Sequence, residues 1–208
     1  LIVSPAVLIP RPETEHVVEK VVDLSNSYVG PGALTRAGEL RSPVIADVGT
    51  GSGCIALALA KEVPLAEIHA VDISTSALEI ARANSARHQL ADRIHFHEGD
   101  LLAGIETNAF DFVASNPPYV GESEEDSVQL DVRKFEPRGA VFAGPNGTEV
   151  IERLIPQAHE TLKPSGWLVM EISGTIAERV RELLSDWNDV QITNDLQGIP
   201  RVVSAQKF

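Results

Sequence analysis

Val44-Ile45-Ala46-Asp47-Val48-Gly49-Thr50-Gly51-Ser52-Gly53-Cys54-Ile55-Ala56-Leu57-Ala58-Leu59-Ala60 is a β-branched apolar run that breaks into glycines and resumes as strong helix formers. The pattern is a strand, a glycine-rich turn and a helix, the opening unit of a parallel α/β sheet. Its spacing restricts what the turn can hold. A dinucleotide fingerprint needs glycines at 49, 51 and 54, but position 54 is Cys54, so the third glycine falls one residue early. A phosphate-cradling P-loop needs Gly-Lys-Ser/Thr after the turn, and none follows. Asp72 closes the next predicted strand, Ile68-His69-Ala70-Val71-Asp72, 23 residues beyond Gly49. From there an acid can accept from both ribose hydroxyls. The ligand that fits is a nucleoside lacking a pyrophosphate, set against the plainer reading of a tight strand-to-helix turn with no ligand.

Outward from this unit, strands are predicted near 44–49, 67–72, 94–99 and 110–115, alternating with helices near 53–62 and 75–89. Ser74, or the Ser76-to-Glu79 capping box, opens the second helix. Such alternation means a parallel sheet with crossover helices. A helix near 148–163, a strand Trp167-to-Ile172, a helix near 176–187 and two short strands, Val190-to-Asn194 and Val202-to-Gln206, complete the order. Residues 1–11 read as extended. Pro12 suits a first helical position, and Glu13 and Glu15 favour the positive end of a helix with Val17, Val18, Val21 and Val22 as its apolar face. This helix is expected to cap the ligand pocket. Residues 25–43, with Gly30-Pro31-Gly32, read as a mobile loop. Residues 120–147 carry no clear element, and a stretch of that length is a functional loop or a disordered one. We expect part of it to close over a substrate, against the alternative of a solvated acidic loop built on Glu122, Glu124, Glu125 and Asp126.

Asn116-Pro117-Pro118-Tyr119 ends the strand Phe110-to-Ser115 with a cluster of acceptors and one aromatic ring. Neither proline has a backbone N–H, so the segment offers carbonyls without matching donors, and the Asn116 amide oxygen adds another acceptor. A planar NH2 group placed there has both hydrogens held. The nitrogen lone pair of a carboxamide or an exocyclic amine is delocalised and weakly nucleophilic, so drawing on both N–H bonds and aiming the lone pair is what catalysis requires. Tyr119 supplies a flat face for the substrate plane. S-adenosylmethionine is a nucleoside of the kind the glycine turn admits, and its sulfonium methyl is the matching electrophile. Ligands bind beyond the carboxyl ends of parallel strands, where the Gly49 turn, Asp72, Asp100 and Asn116 all fall.

With these residues in hand, the chain resembles the class I methyltransferases that modify a glutamine side-chain nitrogen in peptide chain release factors. The resemblance rests on Leu8-Ile9-Pro10-Arg11-Pro12-Glu13-Thr14-Glu15, the Asp47-to-Gly53 turn, Asp72, Asn116-to-Tyr119, Glu136-Pro137 with Ala140 and Gly144, and Asp195-Leu196 with Gly198 and Arg201. It implies a Rossmann-like fold with a mainly parallel seven-stranded sheet, an antiparallel C-terminal edge hairpin and helices on both faces. It also implies S-adenosylmethionine as cofactor and S-adenosylhomocysteine as product. Gly49, Thr50, Gly51, Ser52 and Gly53 would approach the cofactor, Asp72 its ribose, and Asp100 and Leu101 its adenine. Asn116 would touch cofactor and substrate, and Asn116, Pro117, Pro118 and Tyr119 would hold the glutamine amide. The chain departs from the pattern after Glu171-Ile172, where Ser173 precedes Gly174. Members carry an N-terminal helical domain for docking, so residues 1–208 are expected to be the catalytic domain without it. Asn-Pro-Pro-Tyr is shared with nucleic-acid adenine methyltransferases. That alternative stays open here, as do a ribosomal-protein glutamine methyltransferase and a nucleoside-binding module without catalysis.

Composition agrees. The 208 residues, 43% hydrophobic, can bury one substantial core. Lys and Arg number 17 against 30 Asp and Glu, a net charge of −13 that disfavours attraction to a phosphate backbone. No direct nucleic-acid contact and a monomer are expected. No apolar run approaches a membrane span, and no secretory leader opens the sequence. One cysteine, Cys54, forms no internal disulfide and is expected buried, compatible with the cytoplasm. Six histidines form no metal signature, although His95 and His97 share a strand face.

Overall fold

The computed structural model describes residues 1–27 and 42–208. Helix α1 (Glu15–Ser27) follows a short 3-10 turn at Pro12–Thr14. The loop expected over 25–43 begins inside this helix, and its residues 28–41 lie outside the described residues. The order continues as β1 (Val44–Val48), α2 (Cys54–Glu62), β2 (Glu67–Asp72), α3 (Thr75–Arg87), β3 (Ile94–Glu98) and β4 (Phe110–Ser115). These match the expected elements because each carries its own period and cap; Ser74, for example, caps α3 by accepting from Ala77 N at 3.2 Å.

Five elements occupy residues 120–144, where none was expected: β5 (Val120–Gly121), a 3-10 turn at Glu122–Ser127, α4 (Leu130–Phe135), α5 (Arg138–Val141) and β6 (Phe142–Gly144). Each spans six residues or fewer, too short to show a period, and tertiary contacts hold them. Strands β5 and β6 pair with each other, and Arg138 clasps Glu125 with two hydrogen bonds at 2.8 and 3.0 Å. The chain then forms α6 (Glu149–Thr161), β7 (Leu162–Glu171), α7 (Ala177–Leu183), β8 (Asn188–Asn194) and β9 (Pro200–Gln206).

Seven strands make one sheet in the order β3-β2-β1-β4-β7-β9-β8. The first five run parallel, and β9 pairs antiparallel with both β7 and β8. The C-terminal hairpin therefore closes one edge, as the family resemblance implies. Strand β7 begins five residues earlier than expected. Lys163-Pro164-Ser165-Gly166 reads as a turn, yet the strand passes through an irregularity there, and the buried Lys163 ammonium meets Asp111 at 2.6 Å.

Alternating side chains give the sheet two apolar faces. Ile45, Phe112 and Val169 face α1 and α2, whereas Ala46, Val113, Leu168 and Met170 face α6 and α7. Val17 and Val21 of α1 are fully buried against the first of these faces. Helix α1 thus packs on the sheet instead of capping a pocket, and the extended segment before it takes that position. Among the described residues no helix is long and apolar enough to cross a membrane.

Candidate functional site

At the carboxyl ends of β1 and β2 the glycine turn is fixed from below and beside. Gly49 N and Thr50 N both donate to the Val71 carbonyl of β2, at 2.8 and 3.0 Å. Asp47 lies buried under the turn, where its Oδ2 accepts from Thr50 Oγ1 at 2.6 Å and from Ala56 N at 3.0 Å. Its Oδ1 is buried with no protein partner among the described residues. Burial pushes the Asp47 carboxyl up to about 7, against the pull of those two hydrogen bonds.

Above the turn opens a cavity of about 340 Å³, lined by Gly49, Thr50, Gly51 and Ser52, by Asp72 and Ile73, and by Asp100, Leu101, Asn116 and Pro118. Its size lies in the usual range for a small-molecule site. Ala6, Val7, Leu8 and Pro10 of the extended N-terminal segment close another side. Asp72 is oriented by two backbone donors: Gly51 N reaches Oδ2 at 2.8 Å and Ser74 N reaches Oδ1 at 2.9 Å. Ile73 is 68% exposed, an apolar side chain beside an acid at a cavity mouth. Asp100 pairs with Arg153 of α6, which also lines the cavity. Leu101 holds a left-handed backbone at φ 57°, uncommon for a side chain of its bulk and a local strain at the wall.

Two sequence expectations change. Gly53 is absent from the lining; it sits at φ 83° ahead of α2, where a Cβ would come within 3.2 Å of Ala81 Cβ, so its small size serves the contact with α3. Cys54, expected in the core, is only partly exposed and lines the cavity, and desolvation, followed by the nearby Asp47, pushes its thiol up to about 12.

A second cavity, of about 480 Å³, lies on the far side of Asn116-to-Tyr119. Asn116 and Pro118 line both cavities, and Pro117 and Tyr119 line only the second. The segment is therefore a partition. Its polar side chains are tied to other elements: Asn116 Nδ2 donates to Thr14 Oγ1 at 3.0 Å, Thr14 Oγ1 donates to Glu171 Oε2 at 2.7 Å, and the Tyr119 hydroxyl donates to Glu171 Oε1 at 3.0 Å. Burial raises the pKa of Glu171 against these two hydroxyls, and burial followed by the nearby Glu171 charge raises that of Tyr119. Arg11, Glu13 and Arg201 complete the polar wall, while Val128, Gln129 and Val132 supply the wall contributed by residues 120–144.

Residues 33–133 match the family described as "Methyltransferase small domain". A release factor glutamine methyltransferase of Koribacter versatilis is 52% identical over 207 residues, covering 99% of this chain and 69% of that protein. The chain belongs to the release factor glutamine methyltransferase family. A second member, from Rhodopirellula baltica, is 41% identical over 97% of this chain and 67% of its own length. Solved structures carry the same fold at low identity. The hMettl16 catalytic domain, solved with an RNA hairpin, reaches a TM-score of 0.74 at 17% identity over 100% of this chain and 75% of that one. A ribosomal protein L11 methylase from Lactobacillus delbrueckii reaches 0.65 at 21% over 98% and 83%.

Thr14, Glu171 and Arg153 were not singled out as site residues from sequence. Glu171 carried a usable signal, an acid closing the apolar strand Leu168-Val169-Met170 at the same sheet edge as Asp72. Away from the site, His95 and His97 share their face with His69, whose Nδ1 lies 2.9 Å from His97 Nε2. Among the described residues no group of three potential ligands is arranged for a metal ion.

Proposed function

We propose that this methyltransferase uses S-adenosylmethionine to methylate the side-chain amide nitrogen (N5) of a glutamine in peptide chain release factors, in the cytoplasm, and that residues 1–208 act as one catalytic domain. The observation that carries the proposal is the partition: Asn116 and Pro118 border a nucleoside-sized cavity on one side and a polar cavity on the other. The residues present fit the cofactor. The backbone of Gly49–Ser52 leaves room for close approach, the two oxygens of Asp72 remain able to accept from ribose hydroxyls, and Ile73 and Leu101 offer apolar walls to a purine beside Asp100. Bound there, S-adenosylmethionine supplies an electrophilic sulfonium methyl.

On the other side, Asn116 Oδ1 and the Pro117 carbonyl are the acceptors assigned to the two hydrogens of the glutamine NH2. Holding both fixes the amide plane and raises electron density on nitrogen. Tyr119 packs its ring on that plane, and its hydroxyl is already committed to Glu171. No strong base is needed before transfer, because the nitrogen proton becomes acidic only once the methyl is attached and then passes to water. Val128, Gln129 and Val132, from the folded 120–144 segment, line the second cavity, which supports a contact with the polypeptide around the glutamine. The net charge of −13 favours a protein over a polynucleotide substrate.

The test is to incubate the protein with methyl-labelled S-adenosylmethionine, a release factor, a ribosomal-protein fraction and RNA, and to locate the label by mass spectrometry. Label on a release-factor glutamine is the expected result. Label on RNA adenine, or only on a ribosomal protein, overturns the substrate assignment.

A further inference from the structure

A primary amide has two ends of nearly equal size, and only one of them suits the reaction. If Asn116 turned its NH2 toward the substrate it would oppose the glutamine NH2 donor to donor. The side chain therefore needs something to decide its flip, and the hydrogen-bond pattern around it does so. Glu171 is 2% exposed and receives one hydroxyl on each oxygen, Thr14 on Oε2 and Tyr119 on Oε1; these two hydrogen bonds favour the charged form against the burial that raises its pKa, and with both made the carboxylate offers acceptors only. Thr14, 5% exposed, has a single hydroxyl proton, and Glu171 takes it. What remains at Thr14 Oγ1 is a lone pair, so Asn116 must meet it with Nδ2, as it does at 3.0 Å. Oδ1 is then left for another donor, and no protein group among the described residues donates to it.

We propose that Thr14 and Glu171 are positioning residues that set the Asn116 amide with its oxygen toward the substrate NH2, the same carboxylate fixing the Tyr119 ring. The proposal rests on the glutamine-amide reading given above. It joins the N-terminal turn to the carboxyl ends of β4 and β7 through residues 102, 157 and 52 positions apart in sequence. The turn at Pro12–Thr14 thus acts on orientation at the reacting centre, beyond closing the first cavity.

The experiment compares kcat and KM on a release factor for the wild type, Thr14→Val, Thr14→Ser and Glu171→Gln, with S-adenosylhomocysteine affinity by calorimetry and melting temperature measured in parallel. Thr14→Val keeps the shape and removes the hydroxyl. It is expected to lower kcat by about 10- to 100-fold, the scale of a misplaced reacting group, with cofactor-product affinity held within about threefold. Thr14→Ser restores most of that loss, since it returns the one-proton hydroxyl. Glu171→Gln, which places an NH2 where one acceptor stood, is expected to lower kcat without relief from higher substrate concentration. On an Asn116→Ala background, Thr14→Val should cost almost nothing further, because its effect passes through Asn116. Thr14→Val with kcat within threefold of wild type overturns the proposal and leaves the glutamine reading standing. An equal loss from Thr14→Val in the presence and absence of the Asn116 side chain overturns it as well. If wild type leaves the release-factor glutamine unmodified, both fall. If Glu171→Gln fails to fold, the two Thr14 variants and the double variant decide alone.

Discussion

Asp72 and Asn116 carry separate proposed roles at the site, and single substitutions tell them apart. Asp72→Ala removes the acceptor proposed for two ribose hydroxyls, each charge-assisted bond being worth about 1.5–3 kcal/mol, and also frees Gly51 N and Ser74 N. Calorimetry should show affinity for S-adenosylhomocysteine falling by at least about 100-fold; unchanged affinity removes Asp72 from the cofactor site. Asn116→Ala should instead lower kcat on a release factor by about 100-fold or more while most cofactor affinity survives, the usual scale for losing an electrostatic contact at the reacting centre. Asp47 yields a different prediction. Its carboxyl is raised from 3.8 to about 7 by burial, so the folded state holds a proton that the unfolded state releases between those values. Its contribution to stability is therefore full below about pH 4 and is lost as pH rises toward 7, on the order of 4 kcal/mol in all. Asp47→Asn cannot ionise, so its melting temperature relative to wild type should climb from pH 4 to pH 7 and then level off. A difference that stays flat with pH rules out this titration. Asp72 was legible in the sequence because an acid at a fixed offset after a glycine turn has a geometric meaning. Thr14 and Glu171 were not, because their partnership exists only when segments 157 positions apart meet.

The elements divide by the same logic. Strands β1 to β4 and helices α2 and α3 announce themselves through period, cap and turn, and the structure places them within a residue or two of expectation. Strand β7 was half hidden because Pro164 and Gly166 read as breakers, while the buried Lys163–Asp111 pair that carries the chain through them depends on β4. Residues 120–144 were opaque: their elements are too short to repeat a period often enough to be recognised, and tertiary contacts hold them. Gly147 shows how tight these contacts are. It sits at φ 83°, and a Cβ would come within 2.7 Å of the Tyr119 carbonyl and 2.9 Å of Gly121 N. Gly147→Ala should therefore push Tyr119 and β5 off the wall, costing about 1–3 kcal/mol in strain and raising KM for the release factor more than it weakens cofactor binding. If KM and melting temperature both match wild type, β5 and β6 do not set the position of Tyr119. The proposed contribution of this segment to substrate contact has its own test: deleting residues 122–128 should lower kcat/KM on release factor, and an unchanged value excludes it.

At the scale of the molecule, the first cavity gathers the glycine turn of β1, Asp72 of β2, Asp100 beyond β3, Asn116 beyond β4 and the N-terminal segment, so a ligand there touches nearly every parallel strand end. Such a ligand should stabilise the whole fold by mass action, since the unfolded chain has no such edge. At a free concentration of 100 times its dissociation constant the gain is about 2.7 kcal/mol, which for a chain of this length corresponds to a rise in melting temperature of roughly 5–11 °C. S-adenosylhomocysteine should produce that rise in wild type and continue to raise the midpoint as its concentration grows. In Asp72→Ala the same concentrations should produce little, because the proposed ribose contact is gone. NAD provides the complementary measurement. The glycine spacing at 49, 51 and 53 does not match the dinucleotide fingerprint for a pyrophosphate, so NAD at matched concentration should leave the midpoint unmoved. A shift with NAD equal to that with S-adenosylhomocysteine would mean that the adenosine half alone is recognised and that Gly49–Ser52 do not select the methionyl side. Separate responses would tie that selectivity to the one-residue difference in glycine spacing.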